Sequence, residues 1–373
     1  MKRIRSDLVT IVLFAVLLLL PLLGWLLLPK QTFSESERRY LAEPPALTKQ
    51  SLRDWQFDDV LETYLADHLP LRDALVGVHA YTTLLSGRQV STDVWMDREG
   101  YLLEAPVKDD PAEPERRMQK IAAVAERTGL PVYVIAVPSA GYVRRSSLPS
   151  ALSKLYADDA ILGRIAETDD IRFVPLLDRF AQEGQHWYYR TDHHWTAEGA
   201  FAAYEAFLKT AGHEPLERDA FYHHTVNGYT GSTRSRSALF LTEPDVLQID
   251  EPIDCPVRVT FSDREGAFDS MFFYEHLNEY DWYPLFLDGN HPITVIENRS
   301  AASDAPTLVL VKDSFGNTLA PLLAPTYKTI VMVDPRYCRE SICALCETYG
   351  ADEVLFCYSL EHITSDRNLL LVK

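Results

Sequence analysis

Short segments made mainly of consecutive apolar residues alternate with helical patterns through the later part of the chain. They include PVYVIAVP at 131–138, TLVLV at 307–311, KTIVMVD at 328–334 and EVLFCYS at 353–359. A strand without polar positions must be buried on both faces, and helices that alternate with such strands provide the cover. The pattern therefore predicts an α/β fold with three layers, in which a parallel sheet lies between helices.

The spacing of apolar residues also predicts where helices and an insertion lie. Helices are expected at 113–129, 151–167 and 197–212, and the first should end at Gly129, a residue common just after a helix. The stretch at about 221–299 is rich in tyrosine, threonine, serine and aspartate, and it indicates an irregular insertion with antiparallel pieces. Residues 114–373 are therefore predicted to form one α/β domain that carries this insertion.

The N-terminus differs from the rest of the chain. A basic start, MKRIRSD, is followed by an uncharged apolar run from Leu8 to Leu28, which is long enough to cross a bilayer as a helix. Basic residues before a span stay in the cytoplasm, so the remainder should be extracytoplasmic. A cleaved signal peptide is the alternative, but the run is longer than a typical signal sequence and no A-x-A site follows it. Residues 1–30 are predicted to be a membrane anchor, and 31–113 a stalk with helices that dock onto the main domain.

The charge of the chain limits its partners. The formal net charge is -18, which disfavours nucleic acid or an anionic surface as the main partner because the long-range field repels both.

The segment TDHHWT, at 191–196, places two histidines beside an aspartate. Residues two apart in an extended or turning segment point to the same side, so Asp192 and His194 can address one site. His193 should then point away, and Trp195 should pack under the loop as part of a structural frame. Thr196 is expected to cap the helix that follows.

Ser314 lies where the apolar strand TLVLV gives way to a helix, in KDSFGN. Ligands of parallel α/β sheets collect at the carboxyl ends of strands, and a helix N-terminus favours a developing oxyanion. A serine nucleophile needs a base and an orienting acid, which His194 and Asp192 supply. The alternative is that Ser314 only caps the helix. The order Asp, His, Ser and the lack of G-x-S-x-G separate this pattern from that of α/β-hydrolases.

Other residues are weaker candidates for the same site. Gly231 and Ser232, in NGYTGSTRS, could supply a second oxyanion donor, or they could form an ordinary polar turn. Arg336 and Tyr337 follow the next strand and could hold a carbonyl or a sugar acid, although Arg336 could equally form an ion pair with Asp334.

TDHHWT resembles the name-giving motif of the DHHW protein family, which is similar to the SGNH-hydrolase-like proteins of alginate and cell-wall O-acetylation. Those proteins carry a D-x-H pair and, later, a serine in a strand-to-helix turn, which here match Asp192, His194 and Ser314. FSESERRYLAEPP, HLPLRD and GYTGSTRSRS also look like that family, so the resemblance runs from Phe33 onward. Lys312 departs from the glycine that many SGNH proteins have before Asp-Ser.

This resemblance implies an SGNH-hydrolase-like, flavodoxin-like fold and a serine O-acyl esterase or O-acetyltransferase. We therefore expect a membrane-anchored extracytoplasmic enzyme that acts on a cell-surface glycan or exopolysaccharide. It would need no metal or other cofactor. A transferase would take its acyl groups from a membrane partner, because acetyl-CoA is not available outside the cell.

Two other functions remain open at this point. A metal site could use Asp192, His193 and His194 together with His223 and His224, although adjacent histidines rarely bind one ion with good geometry. A catalytically silent glycan-binding scaffold could use aromatic residues near the site, which could equally belong to the core. These are Trp187, Tyr188, Tyr189 and Tyr229.

Overall fold

The computed structural model describes residues 2–46, 48, 53, 56–88, 94–182 and 186–372. The chain divides into a small unit, Met1–Thr92 with Arg234–Leu241, and a large unit, Asp93–Thr233 with Thr242–Lys373. The large unit starts before the predicted boundary at 114, since the amide of Leu102 donates to the carbonyl of Arg190 and joins the preceding hairpin to it.

The small unit contains the apolar N-terminal helix and two shorter helices. Its elements are α1 (Lys2–Leu27), β1 (Phe33–Ser34), β2 (Arg39–Tyr40), α2 (Gln56–Asp67) and α3 (Arg72–Leu85). Within α1, the segment Asp7–Leu27 has a mean hydropathy of 2.7 and is unburied, so it is long and apolar enough to cross a membrane. A signal sequence has the same properties.

The large unit alternates strands and helices, as the sequence predicts. Its strands are β3 (Val94–Met96), β4 (Leu102–Glu104), β5 (Val132–Val137), β6 (Arg172–Phe173), β7 (Phe221–Tyr229), β8 (Asp245–Pro252), β9 (Val257–Phe261), β10 (Arg264–Phe268), β11 (Ile293–Asn298), β12 (Thr307–Lys312), β13 (Thr329–Val333) and β14 (Glu353–Ser359). Its helices are α4 (Ala112–Thr128), α5 (Ala140–Val143), α6 (Ser150–Ser153), α7 (Asp158–Ala166), α8 (Leu177–Phe180), α9 (Ala197–Ala211), α10 (Ser232–Ser237, which continues into the small unit), α11 (Gly316–Leu323), α12 (Ile342–Tyr349) and α13 (Leu360–Ser365).

The central sheet has eight strands in the order β10-β9-β11-β13-β12-β14-β5-β6. The five strands from β13 to β6 are parallel, whereas β11, β9 and β10 are antiparallel and extend one edge. The predicted insertion is therefore less separate than expected, because its later strands belong to the main sheet. Within the predicted insertion, β7 and β8 pair with each other in a separate two-stranded sheet.

Alternate side chains of the strands enter two different cores, which gives the three predicted layers. Leu308, Leu310 and Leu355 pack with α9 and α11 on one face. Val309 and Val354 pack with α4, α7, α12 and α13 on the other face. This is the arrangement that continuously apolar strands require.

One predicted helix is interrupted. The segment predicted at 151–167 forms α6 and α7 with a break between them. In this break the ring of Tyr156 packs directly on Gly141, so closely that a Cβ at Gly141 would lie only 2.1 Å from the ring. The Tyr156 hydroxyl donates to the carbonyl of Glu104 at 2.6 Å. Tertiary packing thus overrides a helical pattern that is favourable locally.

Candidate active site

The TDHHWT segment is a tight turn closed by backbone hydrogen bonds. The amide of Tyr189 donates to the carbonyl of His194 at 3.2 Å, and the amide of Thr196 donates to the carbonyl of Trp187 at 2.9 Å. The Thr196 hydroxyl accepts from the amide of Gly199 and caps α9, as the sequence predicts. The turn is therefore fixed to the start of a buried helix.

Asp192 is buried, and both of its carboxylate oxygens accept hydrogen bonds. Oδ1 accepts from the backbone amide of His194 at 2.9 Å and lies 2.5 Å from His194 Nδ1. Oδ2 accepts from the amide of Ser232 at 2.7 Å and from the hydroxyl of Tyr229 at 3.1 Å. Burial alone would raise the pKa of Asp192, but the two neighbouring histidines and these hydrogen bonds hold the pKa well below its ordinary value.

His194 connects the carboxylate to Ser314. Its Nε2 lies 2.7 Å from the Oγ of Ser314, across 120 positions of sequence. Burial lowers the pKa of His194, the charge of His193 lowers it further, and Asp192 opposes both effects. A neutral imidazole with Nδ1–H held by Asp192 leaves Nε2 free to accept the proton of the serine.

Ser314 lies between the end of β12 and the start of α11, as predicted. The N-cap position of α11 is Phe315, so the hydroxyl of Ser314 is directed to His194 rather than to helix capping. Among the described residues, no acceptor pairs with the Ser314 amide, which leaves a backbone donor beside the hydroxyl. This donor and the helix N-terminus can stabilise an oxyanion.

Aromatic side chains fix the imidazole between these two segments. The ring of Tyr283 stacks on His194 with centroids 3.8 Å apart, and its hydroxyl donates to the carbonyl of Ser314 at 3.3 Å. Trp195 is fully buried, and its Nε1 donates to the hydroxyl of Thr318 on α11 at 2.6 Å. Trp195 therefore ties the turn to the helix that follows Ser314. Nothing in the sequence pattern distinguished Tyr283, which lies in the segment predicted as an irregular insertion.

The expectation that His193 points away from the site is wrong. Its ring centroid lies 3.9 Å from that of His194, and its Nδ1 is 3.1 Å from the Oγ of Ser232. His193 lines a small cavity of about 30 Å³ together with Phe315 and Glu361. The turn is tight enough that consecutive rings share one side.

The remaining candidates do not face the serine as oxyanion donors. The amide of Gly231 donates to the hydroxyl of Thr191 at 2.9 Å, and the amide of Ser232 donates to Asp192. The Ser232 amide therefore positions the Asp192 carboxylate and the Gly231 amide holds Thr191, so each amide already has an acceptor. This corrects the expectation that they supply the oxyanion hole.

Arg336 forms the ion pair with Asp334 that the sequence left open as an alternative to substrate binding. Its Nε and Nη2 both donate to the buried carboxylate of Asp334, at 2.9 and 2.6 Å. The Tyr337 side chain is exposed. The aromatic residues proposed for sugar stacking are all buried in the core, so they are not available to a glycan. They are Trp187, Tyr188, Tyr189 and Tyr229.

Asp313, which precedes the serine, anchors the nucleophile turn to the neighbouring strand. Its Oδ1 accepts from the amide of Phe315 at 3.0 Å, and its Oδ2 accepts from the amide of Ser359 and lies 2.7 Å from His362 Nδ1. Burial opposes ionisation, but His362 and the backbone donors lower the pKa of Asp313 to about 2. Sequence reasoning missed His362, because a lone histidine near the C-terminus carries no pattern.

Lys312 is buried beneath the first turn of α11. Its Nζ donates to Asn290 Oδ1 at 2.9 Å and lies 3.5 Å from Asp334 Oδ2, while burial lowers its pKa to about 8. A Cβ on Gly316 would lie 2.5 Å from the Cβ of Lys312, so Gly316 makes room for the lysine stem. The departure from a glycine at 312 is thus accommodated by a glycine one turn later.

The residues proposed for a metal site are not brought together as a set. Single ligand atoms of Asp192, His193 and His194 lie within 4.8 Å of one another. His223 and His224, however, are paired with Asp250 and Glu251 on the β7–β8 hairpin. The 2.5 Å contact between Asp192 and His194 is a hydrogen bond, too short for two atoms that ligate one zinc ion.

Comparisons with known proteins agree with this fold. A family model described as DHHW protein matches residues 175–333, and one described as SGNH hydrolase-like domain, acetyltransferase AlgX, matches residues 89–234. A DHHW family protein from Eubacterium siraeum is similar, with a TM-score of 0.65 and 21% identity over 76% of this chain and 98% of that one. Bacillus cereus PatB1 with a sulfonyl adduct has a TM-score of 0.64 and 21% identity over 75% and 98%. The curated proteins contain no match. The predicted resemblance to the DHHW protein family, with an SGNH-hydrolase-like fold, is therefore confirmed.

Proposed function

We propose that this chain is a serine O-acyl esterase or O-acetyltransferase that acts on a cell-surface glycan or exopolysaccharide. The observation that best supports this proposal is the continuous chain of contacts from Asp192 through His194 to the Ser314 hydroxyl. The match to a family model named for the acetyltransferase AlgX supports acyl transfer as the reaction. A metal-dependent hydrolase and a silent scaffold have no comparable support in the geometry.

The proposed reaction has two halves that use the same groups. Ser314 Oγ attacks the acyl carbonyl while its proton passes to His194 Nε2, and the oxyanion is stabilised by the Ser314 amide. The intermediate collapses, and the leaving alkoxide takes the proton from His194. In the second half, water or a sugar hydroxyl attacks the acyl-serine and gives its proton to Nε2. The bond between the acyl carbon and Ser314 Oγ then breaks, which releases the free acid or the new sugar ester, and Oγ takes the proton back from His194. Asp192 keeps Nδ1–H oriented throughout and stabilises the imidazolium.

We also propose that α1 anchors the enzyme and that the large unit is extracytoplasmic. The apolar segment Asp7–Leu27 and the basic residues before Leu8 support a span with a cytoplasmic N-terminus. Without acetyl-CoA outside the cell, an acetyltransferase needs a membrane partner as acyl donor. An esterase needs only water, so the two activities differ in their partner.

A fluorophosphonate probe tests the proposed nucleophile. The probe should label the intact protein at Ser314, and labelling should vanish in Ser314→Ala and fall strongly in His194→Ala, because the hydroxyl is a poor nucleophile without its base. Ser153→Ala, at a serine whose hydroxyl donates to the carbonyl of Ser150 in α6, is the matched control and should label normally. Turnover of an aryl acetate in water, with and without an oligosaccharide acceptor, separates esterase from transferase. Labelling that survives in Ser314→Ala, or no labelling and no turnover at all, contradicts the proposal.

The acid limb of the pH profile should report His194. Only the neutral imidazole can accept the serine proton, and burial lowers the pKa of His194 from 6.5. The kcat/KM for an aryl acetate should therefore still exceed half of its maximum at pH 6.5 and fall as the pH drops further. In His193→Gln the midpoint should move upward, since the charge of His193 lowers the pKa of His194. A wild-type midpoint above 6.5, or a downward shift in the variant, would contradict this assignment.

A further inference from the structure

Helix α3 exposes an apolar stripe along one face. Leu71, Leu75, Val78 and Leu85 are 77%, 53%, 61% and 86% exposed. Leu75, Val78 and Leu85 are three and seven residues apart, which places them on the same side of the helix, and Leu71 is the residue just before its first turn. After Asp73, α3 has no acidic residue and no lysine or arginine, which is unusual for an exposed surface in a chain of net charge -18.

The opposite face of α3 is packed within the small unit. Gly77 and Ala80 are buried, and a Cβ on Gly77 would lie 3.4 Å from the ring of Phe240. The hydroxyl of Tyr81 accepts from the amide of Leu241 at 2.9 Å. The helix is therefore held on one side, and its stripe is left as a defined apolar surface.

The stripe begins beside the end of the apolar helix α1. A Cβ on Gly24 would lie 2.8 Å from the Cγ of Pro70, in the turn that joins α2 to α3. The rings of Trp25 and Tyr64 meet edge to face with centroids 6.0 Å apart. The last turns of α1 therefore pack directly against the turn from which α3 starts.

These contacts fix the depth of the turn if α1 spans a bilayer. Gly24 precedes Leu28, the end of the apolar run, by four residues, which corresponds to about 6 Å of helix rise. Whatever touches Gly24 must lie at the same depth. Helices that lie in a membrane interface bury their apolar face by roughly 5–10 Å at the boundary of headgroups and acyl chains. Pro70 and Leu71 thus reach the depth at which interfacial helices bind.

We propose that the stripe of α3 is a lipid-binding surface, which lies on the bilayer where α1 leaves it and inserts Leu71, Leu75 and Val78 among the acyl chains. This inference rests on the proposed anchoring by α1. A bilayer fits the surface better than a second copy does, because Leu71 is placed at the lipid boundary by α1 itself and the stripe offers no charge or hydrogen-bond pattern for a specific partner. Trp25 and Lys30 flank the same boundary, as interfacial anchors do.

Photo-crosslinking to lipid tests this surface with the full chain. The protein is reconstituted in nanodiscs with a phospholipid that carries a diazirine on its acyl chain, irradiated, digested and analysed by mass spectrometry. Lipid adducts are expected in α1 and at 71–78, and not around Tyr337, an exposed apolar side chain of the large unit. In Leu75→Glu/Val78→Glu the adducts of α3 should be lost while those of α1 remain, and circular dichroism should show unchanged folding.

Each other outcome has a distinct meaning. Adducts confined to α1 overturn the lipid-binding surface and leave the anchor intact. Crosslinks between two copies through α3 overturn it in favour of self-association. No adduct in α1 removes the anchor and, with it, this inference. Labelling of Ser314 by the fluorophosphonate in the same sample reports the proposed chemistry independently, so failure of the surface and failure of the enzyme are distinguishable.

Discussion

Replacing Asp192 with asparagine should lower kcat by about 10⁴ while the protein remains folded, because the imidazole would lose its orienting anion. The carboxylate accepts hydrogen bonds at both oxygens, from His194 on one side and from Ser232 and Tyr229 on the other. An asparagine has one acceptor oxygen, so its NH₂ must face donors on one of these sides. If it faces His194, Nδ1 becomes the acceptor and Nε2 carries the proton, so His194 can no longer deprotonate Ser314.

Asp245 provides a matched control for this substitution. Its carboxylate accepts from the amides of Arg190 and Thr191 at 2.7 and 2.8 Å, so it holds the same turn without touching the imidazole. Asp245→Asn should therefore reduce kcat far less than Asp192→Asn, as measured with an aryl acetate at saturating concentration. If Asp192→Asn keeps kcat within about tenfold of the native value, the relay through Asp192 is excluded.

The parts of the fold that follow local rules were predictable from the sequence. Strands β5, β12, β13 and β14 appear where continuous apolar runs occur, because such runs have no other stable place than between two layers. Thr196 caps α9 because its hydroxyl follows a turn and precedes a helical pattern. Asp192 and His194 are two residues apart in one turn, and this short separation lets their side chains meet, which is also a local property of the chain.

What the sequence could not show depends on contacts between distant segments. Tyr229, Ser232 and Tyr283 complete the surroundings of Asp192 and His194, and they come from a region without apolar periodicity. Strands β9 and β11 likewise join the main sheet because β11 pairs with the edge of β13 and β9 pairs with β11, which their own residue patterns do not indicate. The predicted orientation of His193 was wrong because the turn is tighter than an extended segment, so the rings of His193 and His194 lie side by side.

Substituting alanine for Gly231 should damage stability and activity together. A Cβ at this position would lie 2.2 Å from the Cβ and 2.3 Å from the Oδ2 of Asp192, closer than packed atoms can approach. Either the β7–α10 connection or Asp192 must move, and overpacking of this kind costs about 1–3 kcal/mol. The free energy of unfolding, from chemical denaturation, should fall by that amount. Since the displaced carboxylate is the one that orients His194, kcat should fall as well.

Gly163→Ala is the matched control, because it adds the same methyl group where nothing lies within 4 Å. Gly163 is inside α7, so alanine there should stabilise the protein by up to about 1 kcal/mol and leave kcat unchanged. Backbone conformation does not explain the glycine at 231, since its φ is not positive, whereas close approach to Asp192 does. Gly231→Ala with native stability and native kcat would mean that Asp192 tolerates displacement, and the precise placement of the acid would then have no role in the reaction.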